Sequence, residues 1–179
     1  MMRTSAVGRE LMIHFEGLHD GDLQEIGLQP KLCPAGIWTV GYGHAVVDPA
    51  TGKQLTVAGG QKAKARAAQL FGSMTVEDAE DLFAADLERF EKEVSKLVKI
   101  PLMQHEFDAL VSWHFNTGGL RKTSGLAKLN AGDKLGAWSH FGAWNKITSK
   151  GPAPVPGLVR RRNAERALFF GQVWRSATL

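Results

Sequence analysis

The sequence predicts an α+β fold in which strands and helices are segregated. Three observations carry this. A helical period near the N-terminus gives way to a short stretch dense in strand formers and glycines. A helix of about six turns then begins near residue 75. Only helical patterns follow it to the C-terminus, so the strands form one small lobe and do not alternate with helices. A chain of 179 residues suits one domain with room for two lobes, expected here over roughly 1–74 and 75–179. At this length about 70% of the unfolded surface can be buried without covalent staples.

The elements follow in order. Residues 3 to 18 read as a helix, with Val7, Leu11, Phe15 and Leu18 on one face and Met12 widening it. Glu16 sits at its C-terminal end, where a carboxylate opposes the helix dipole, a poor position for a charge that only stabilises. "HDGDLQEIGLQPKL", His19 to Leu32, reads as irregular loop. Residues 36 to 48 read as a hairpin, with "IWTVGY" as its strand and Gly36, Gly41 and Gly43 permitting tight turns. "DPATGK" is a turn cluster that ends this small sheet. Residues 57 to 74 read as a short basic surface helix, a solvated face or a contact for an anionic polymer. Thr75 is a candidate N-cap, with Glu77 and Asp78 in the first turn. Leu82, Phe83, Leu87, Phe90, Val94, Leu97 and Val98 continue at helical spacing until Pro101. "HEFDALVSWHFN" is an apolar helix stopped by "TGG", with shorter helices near 124–130 and 133–144. "SKGPAPVPG" is a Pro/Gly loop, and "LVRRRNAERALFF" is the last helix.

Composition excludes several classes. One cysteine rules out an intramolecular disulfide framework. No run of about 18 apolar residues exists, so stable membrane insertion is not expected. "MMRTSAVGRELMIHFEG" lacks a signal-peptide core, so the chain is expected to be made in the cytoplasm and to need a separate release route for any role outside. The net charge of +4 raises encounter rates with polyanions in general and selects none of them.

Four kinds of chemistry can be weighed on the residues. His14, His19, His44, His105, His114 and His140 form no H-x-x-x-H pair with a flanking Glu, and a lone Cys builds no zinc site, so no metal or cofactor is expected. "GYGH" is too short for a dinucleotide fingerprint. Cys33 is a candidate nucleophile only with a base beside it; His44 lies eleven residues downstream, and Pro34 favours extended backbone at Cys33. The bland alternative is a buried filler thiol. Glycoside hydrolysis needs an acid to protonate the leaving oxygen and a second group to orient water or stabilise the oxocarbenium-like transition state. Glu16 at a helix end, followed by the Cys33–Thr39 hairpin, offers such a set.

"FEG" closing the first helix and "CPAGIWTVGYGH" after it resemble the phage-type lysozymes of glycoside hydrolase family 24. That family's triad reads Glu, then Asp or Cys, five residues, then Thr, and Glu16, Cys33 and Thr39 match it with Pro34 to Trp38 between. "TVEDAEDLFAADL", "FDALVSWHFNTGGL", "KLNAGD" and "GLVRRRNAERALF" resemble the family's later segments, in order, over nearly the whole chain. The resemblance implies a lysozyme-like fold: a small N-terminal β-hairpin lobe joined by a long helix to a helical C-terminal lobe, as one catalytic domain over 1–179. It implies a muramidase that cleaves the β-1,4 bond between N-acetylmuramic acid and N-acetylglucosamine in peptidoglycan and needs no cofactor. It further implies a monomer without a nucleic-acid partner, released to the wall through a holin-type pore.

On this resemblance Glu16 is the general acid, a role that requires it to hold its proton. Thr39 positions a water, since a hydroxyl both donates and accepts. Cys33 assists, and since a free thiol of pKa about 8.5 is mostly neutral at pH 7, positioning suits it better than base catalysis. Phe115 and Asn116 match a position lining the saccharide groove, although Phe115 also suits a core. Arg161, among Arg160, Arg161 and Arg162, is implied to pair with the catalytic Glu; by composition alone the three form a solvated basic face. One departure stands out. The family has about eight residues between Glu and Asp/Cys where this chain has sixteen, Gly17 to Leu32, an insertion that costs only about 0.6 kcal/mol per doubling of loop length. It brings Asp20, Asp22 and Glu25 as competing carboxylates. The rival classes are a cysteine-dependent wall amidase or peptidase, which needs a histidine at Cys33, and a wall-binding module without catalysis.

Overall fold

The computed structural model describes residues 2–33, 35–147, 151 and 153–178. Pro34, and with it the expected extended backbone after Cys33, lies outside the described residues, as does part of the loop expected over 149–157. Among the described residues the chain forms seven α-helices, α1 (Ala6–Glu16), α2 (Gly60–Phe71), α3 (Val76–Leu97), α4 (Gln104–Thr117), α5 (Gly125–Asn130), α6 (Lys134–Gly142) and α7 (Pro156–Phe169). The strands are short: β1 (Lys31–Leu32), β2 (Trp38–Val40), β3 (His44–Ala45), β4 (Val47–Asp48) and β5 (Lys53–Gln54). This is the expected α+β composition. Two compact units emerge, Glu16–Asp86 and Met1–Phe15 with Leu87–Leu179, and α3 gives residues to both.

The helical unit is built around α4, whose residues from Glu106 to His114 are all buried. Trp113, Phe107, Phe141 and Phe169 are its largest fully buried side chains, and the Trp113 indole N–H donates to Phe141 O at 3.0 Å. That bond removes the cost of burying an indole donor while its ring fills the core. Helix α1 is shorter than the expected 3–18, and its buried face is shifted. Ser5 caps it, with its hydroxyl accepting from the Gly8 N–H at 3.3 Å, and the Thr4 and Ser5 N–H groups go to Glu91 Oε1 and Asp108 Oδ1. Residues 3–5 are thereby spent on side-chain acceptors, outside the helix. Val7 and Leu18, expected on the inner face, are 48% and 41% exposed. The inner face is Thr4, Gly8, Leu11 and Met12. A β-carbon on Gly8 would meet Asp108 at 2.7 Å, so a glycine, which carries no hydrophobic signal, marks the closest approach.

The other unit holds an antiparallel sheet in the order β1-β2-β3 and a two-stranded ladder of β4 with β5. The residues expected to be loop over 19–32 end as β1, which pairs Lys31 with Thr39 and Leu32 with Trp38. Further order comes from single bridges, His19 to Gly41 and Leu28 to Met74. A two-residue strand between Pro30 and Cys33 shows no alternation to read, so β1 escapes a periodicity analysis. "DPATGK" likewise does not end the sheet; it turns β4 into β5. Helix α2 is a surface helix as expected, exposing Lys62 and Lys64 and burying only Ala63 and Ala67. Thr75 and Asp78 form the expected start of α3: the Asp78 N–H donates to Thr75 Oγ1 at 3.0 Å, and Asp78 Oδ2 accepts from the Thr75 N–H at 2.8 Å.

Candidate active site

Glu16, Cys33 and Thr39 all belong to the sheet unit. Glu16 is the last residue of α1 and is half-buried; Gly17 follows at φ 69 and ends the helix. Strands β2 and β3 are joined through Gly41, Tyr42 and Gly43. Gly43 has φ 91, left-handed backbone that a glycine adopts without strain, and a β-carbon placed on it would lie 3.6 Å from Glu16 Oε2. The Glu16 carboxylate therefore sits beside the turn, on a backbone with no side chain there.

Thr39, in the middle of β2, is 5% exposed, and its hydroxyl donates to Lys31 O at 2.9 Å. With its proton committed, Oγ1 keeps its lone pairs, so it can accept from a water but has no second proton to give. Lys31 stands opposite Thr39, and the Cys33 N–H donates to Ile37 O at 2.9 Å, which continues the ladder by two residues. Opposite residues in a ladder share a face and neighbours alternate. The pleat therefore assigns Cys33 and Thr39 to one face of the sheet and Trp38 to the other. No histidine hydrogen-bonds the Cys33 thiol among the described residues. His44, the histidine next in sequence to this turn, has its Nδ1 2.8 Å from Asp86 Oδ2 instead. The dyad a cysteine nucleophile needs is therefore not formed by His44.

His19 is a site neighbour that residue spacing alone does not reveal. Its N–H donates to Gly41 O at 2.8 Å. Burial holds the imidazole below its ordinary range, Lys31 pushes it the same way, and Glu16 pulls weakly in the other direction. Burial and Lys31 thus disfavour the charged form of His19. The inserted carboxylates have structural work. Asp20 Oδ1 accepts from the Asp22 and Gln29 N–H groups, each at 3.2 Å, and Asp22 Oδ1 accepts from the Gln24 N–H at 3.1 Å. These bonds are the Asx-type turns that shape a loop.

Phe115, Asn116 and Arg161 belong to the helical unit. Phe115 is half-buried, edge-on to Phe90 at 5.1 Å between centroids. Asn116 is exposed and accepts from Arg162 at 2.9 Å. The solvated basic face expected from composition holds for Arg160 only; Arg161 and Arg162 are 3% and 2% exposed. Both reach Glu165, itself fully buried, with Arg161 Nε 3.2 Å from Oε1 and Arg162 Nε 2.7 Å from Oε2. The Ser112 hydroxyl adds a bond to Oε1 at 2.8 Å. The i,i+3 and i,i+4 spacing of these charges on α7 was the available sequence signal. The Arg161 guanidinium also lies 5.7 Å from the ring centroid of Phe15, the residue before Glu16. Among the described residues no group of three His, Cys, Asp or Glu side chains could hold a metal ion, and no helix is long and apolar enough to cross a membrane.

Comparison with known proteins follows the same lines. The family model described as phage lysozyme matches residues 21–165, which takes in Cys33, Thr39, Phe115, Asn116 and Arg161 and begins just past Glu16. The chain is 33% identical over 172 residues to an endolysin of Acyrthosiphon pisum secondary endosymbiont phage 1, covering 94% of this chain and 98% of the relative. Among solved structures it resembles the endolysin of Escherichia coli phage FAHEc1, with a TM-score of 0.72, 32% identity, and coverage of 94% of this chain and 93% of that one. It also resembles the muramidase domain of SpmX from Asticaccaulis excentricus, with a TM-score of 0.69, 28% identity, and coverage of 94% and 98%.

Proposed function

The chain belongs to the phage lysozyme family, and from that premise we propose that it is a muramidase acting on bacterial peptidoglycan, for lysis of the host cell. The bond cut is the β-1,4 link between N-acetylmuramic acid and N-acetylglucosamine. Glu16 donates its proton to the glycosidic oxygen as the bond breaks. Thr39 Oγ1 accepts a hydrogen bond from the attacking water and so orients it, and Cys33, on the same face of the sheet, helps to hold that water. As the water oxygen bonds the anomeric carbon its surplus proton passes to solvent, from which Glu16 is reprotonated. Phe115 and Asn116 contact sugar. Arg161 supports the end of α1 that carries Glu16; its place over the Phe15 ring favours this role. The enzyme needs no cofactor, works as a monomer without a nucleic-acid partner, and reaches the wall through a pore of the holin type.

The observation that carries this reading is the placement of Glu16 Oε2 beside the Gly43 turn, at the end of the strand in which Thr39 is pinned. The test compares wild type, Glu16→Gln and Cys33→Ser on purified peptidoglycan, following turbidity and new reducing ends. Glu16→Gln should lose about 10²–10⁴ of the rate, the usual worth of a general acid, while keeping its fold. Cys33→Ser should keep measurable activity, because a hydroxyl can replace a thiol that only positions water. An active Glu16→Gln protein, or release of new amino groups in place of reducing ends, overturns the assignment.

A further inference from the structure

Arg162 is 2% exposed and is held by the fully buried Glu165, with Nε 2.7 Å from Oε2 and Nη2 3.0 Å from Oε1. Its other N–H groups reach out of that cluster. Nη2 also donates to Asn116 Oδ1 at 2.9 Å, and Nη1 donates to Trp144 O at 3.2 Å. Asn116 and Trp144 line a cavity of about 450 Å³ in the helical unit, together with Thr117, Lys146, Ile147 and Leu158. A guanidinium can only donate, so the Asn116 amide must turn its oxygen inward. Nδ2 is then the polar end of an exposed side chain, and it makes no hydrogen bond among the described residues. Thr117 has no donor to offer beside it, because its hydroxyl proton goes to Trp113 O at 2.8 Å. The Trp144 ring is fixed as well. It packs edge-on to Trp113 at 5.3 Å between centroids, and a β-carbon on Gly119 would collide with it.

We propose that Arg162 is a positioning residue: it fixes Asn116 as a hydrogen-bond donor at this cavity, which makes the cavity a subsite for an amide carbonyl that carries an apolar group. The opposite amide orientation would set Nδ2 against the guanidinium, donor against donor, and leave both unsatisfied. In the fixed orientation the ligand's carbonyl oxygen accepts from Nδ2. Its methyl or methylene carbons lie on the Trp144 ring, Ile147 and Leu158. An apolar wall with one placed polar group is the usual build of a small ligand site. Two groups of peptidoglycan have this chemistry, the acetamido groups of the sugars and the amides of the stem peptide. Naming them rests on the peptidoglycan reading above; the donor polarity of Asn116 does not. The buried cluster thereby has a task beyond stability, since Glu165 holds Arg162 and Arg162 holds Asn116.

The decisive variant is Asn116→Asp. A carboxylate keeps the bond to Arg162 as an ion pair, so the urea midpoint should be no lower than that of wild type. Its outward atom is now an acceptor facing an acceptor. The apparent KM on purified peptidoglycan should rise about tenfold while kcat changes little, the pattern of lost ground-state binding. Arg162→Lys keeps a cation at Glu165 without the fork that reaches Asn116; it should raise KM and add nothing to the Asn116→Asp effect. Where Arg162→Lys does not fold, the Asn116→Asp midpoint still reports the link. The source of the carbonyl is read by NMR from the Asn116 side-chain amide signal, assigned through Asn116→Asp. The protein is titrated with tetra-N-acetylchitotetraose, with its fully de-N-acetylated form, and with L-Ala-γ-D-Glu-meso-diaminopimelate-D-Ala. Movement with the acetylated saccharide but not the deacetylated one assigns the subsite to acetamido groups, and movement with the tetrapeptide assigns it to the stem peptide. No movement with either, an unchanged KM in Asn116→Asp, a loss of stability that parallels the rise in KM, or additive effects of the two variants overturns the proposal. If wild type releases reducing ends while the amide signal stays still, this inference alone fails. If no substrate yields reducing ends, the muramidase reading fails and the signal still reports whether the cavity takes a carbonyl.

Discussion

The two units of this chain treat charge in opposite ways. The unit Glu16–Asp86 carries ten Asp and Glu against five Lys and Arg, a net of −5, and nearly all of them lie at or near its surface. The helical unit carries eight against seventeen, a net of +9, yet it buries Glu91, Glu106, Asp108, Arg161, Arg162 and Glu165. Burying an ion is expensive unless it is paired and its remaining positions are bonded. The helical unit can do this because each buried charge has partners, one turn away on the same helix for Arg161 and Arg162 with Glu165, and far away in sequence for the Thr4 N–H with Glu91 and Lys134 with Glu106. The sheet unit has strands of two or three residues and keeps its order through glycine turns and side-chain bonds to backbone. The first arrangement suits a rigid support. The second leaves a half-buried carboxylate beside a glycine turn, with the buried hydroxyl of Thr39 pinned in the strand that leads into it.

The sharpest way to break this contrast is Glu165→Gln. It leaves two guanidinium groups buried with a neutral partner, and loss of one member of a buried ion cluster costs about 3–5 kcal/mol. Urea unfolding should register a loss of that order. A loss below about 1 kcal/mol, the range of exposed ion pairs, would mean that the cluster is solvated in solution and the contrast is false. Glu16→Gln is the counterpart in the sheet unit: activity should fall and stability should not.

Gly43→Ala comes next. An alanine at φ 91 is strained by about 1–3 kcal/mol, and its β-carbon would sit in ordinary contact with the Glu16 carboxylate. Both stability and turnover should fall, because the turn that fits glycine backbone also sets where Glu16 rests. Turnover unchanged in a destabilised variant would separate the turn from the site. Thr75→Ala is milder. It removes the hydroxyl that accepts from the Asp78 N–H, and a lost cap costs about 1 kcal/mol, readable as a small shift of the urea midpoint.

These positions also mark how far the sequence could be read. Thr75 with Asp78, the long helix, the apolar α4 and the stop at "TGG" were legible because period and capping chemistry repeat over many residues. The triad spacing was legible only by resemblance; alone, Glu16 is one more carboxylate. What escaped has a common physical cause. β1 is too short to alternate, the inner face of α1 uses a glycine where an apolar residue was expected, and the inner face of α2 is made of alanines. Arg161 and Arg162 looked solvated because composition counts charges without their partners. Glu165, at helical spacing from both, was the clue that could have corrected this.

The smallest effect concerns His19, and its sign can be worked out. In the folded protein its pKa lies below the ordinary 6.5, through burial and Lys31, with Glu16 opposing. Between the folded pKa and 6.5 the unfolded chain binds a proton that the folded one refuses, so stability falls as pH drops through that window and the loss is constant below it. Above about pH 7.5 neither state is protonated there, and His19 contributes no slope. Replacing His19 with Gln should flatten this part of the pH profile while leaving the alkaline side unchanged, as read by urea unfolding at half-unit steps from pH 5 to 8. The charges facing His19 are Lys31 on β1 and Glu16 at the end of α1, so Lys31→Gln should narrow the window by letting the imidazole protonate more readily. Coincident profiles for wild type and His19→Gln would mean that the imidazole is solvated. The sheet unit would then expose a titratable group that it half-buries beside its candidate acid.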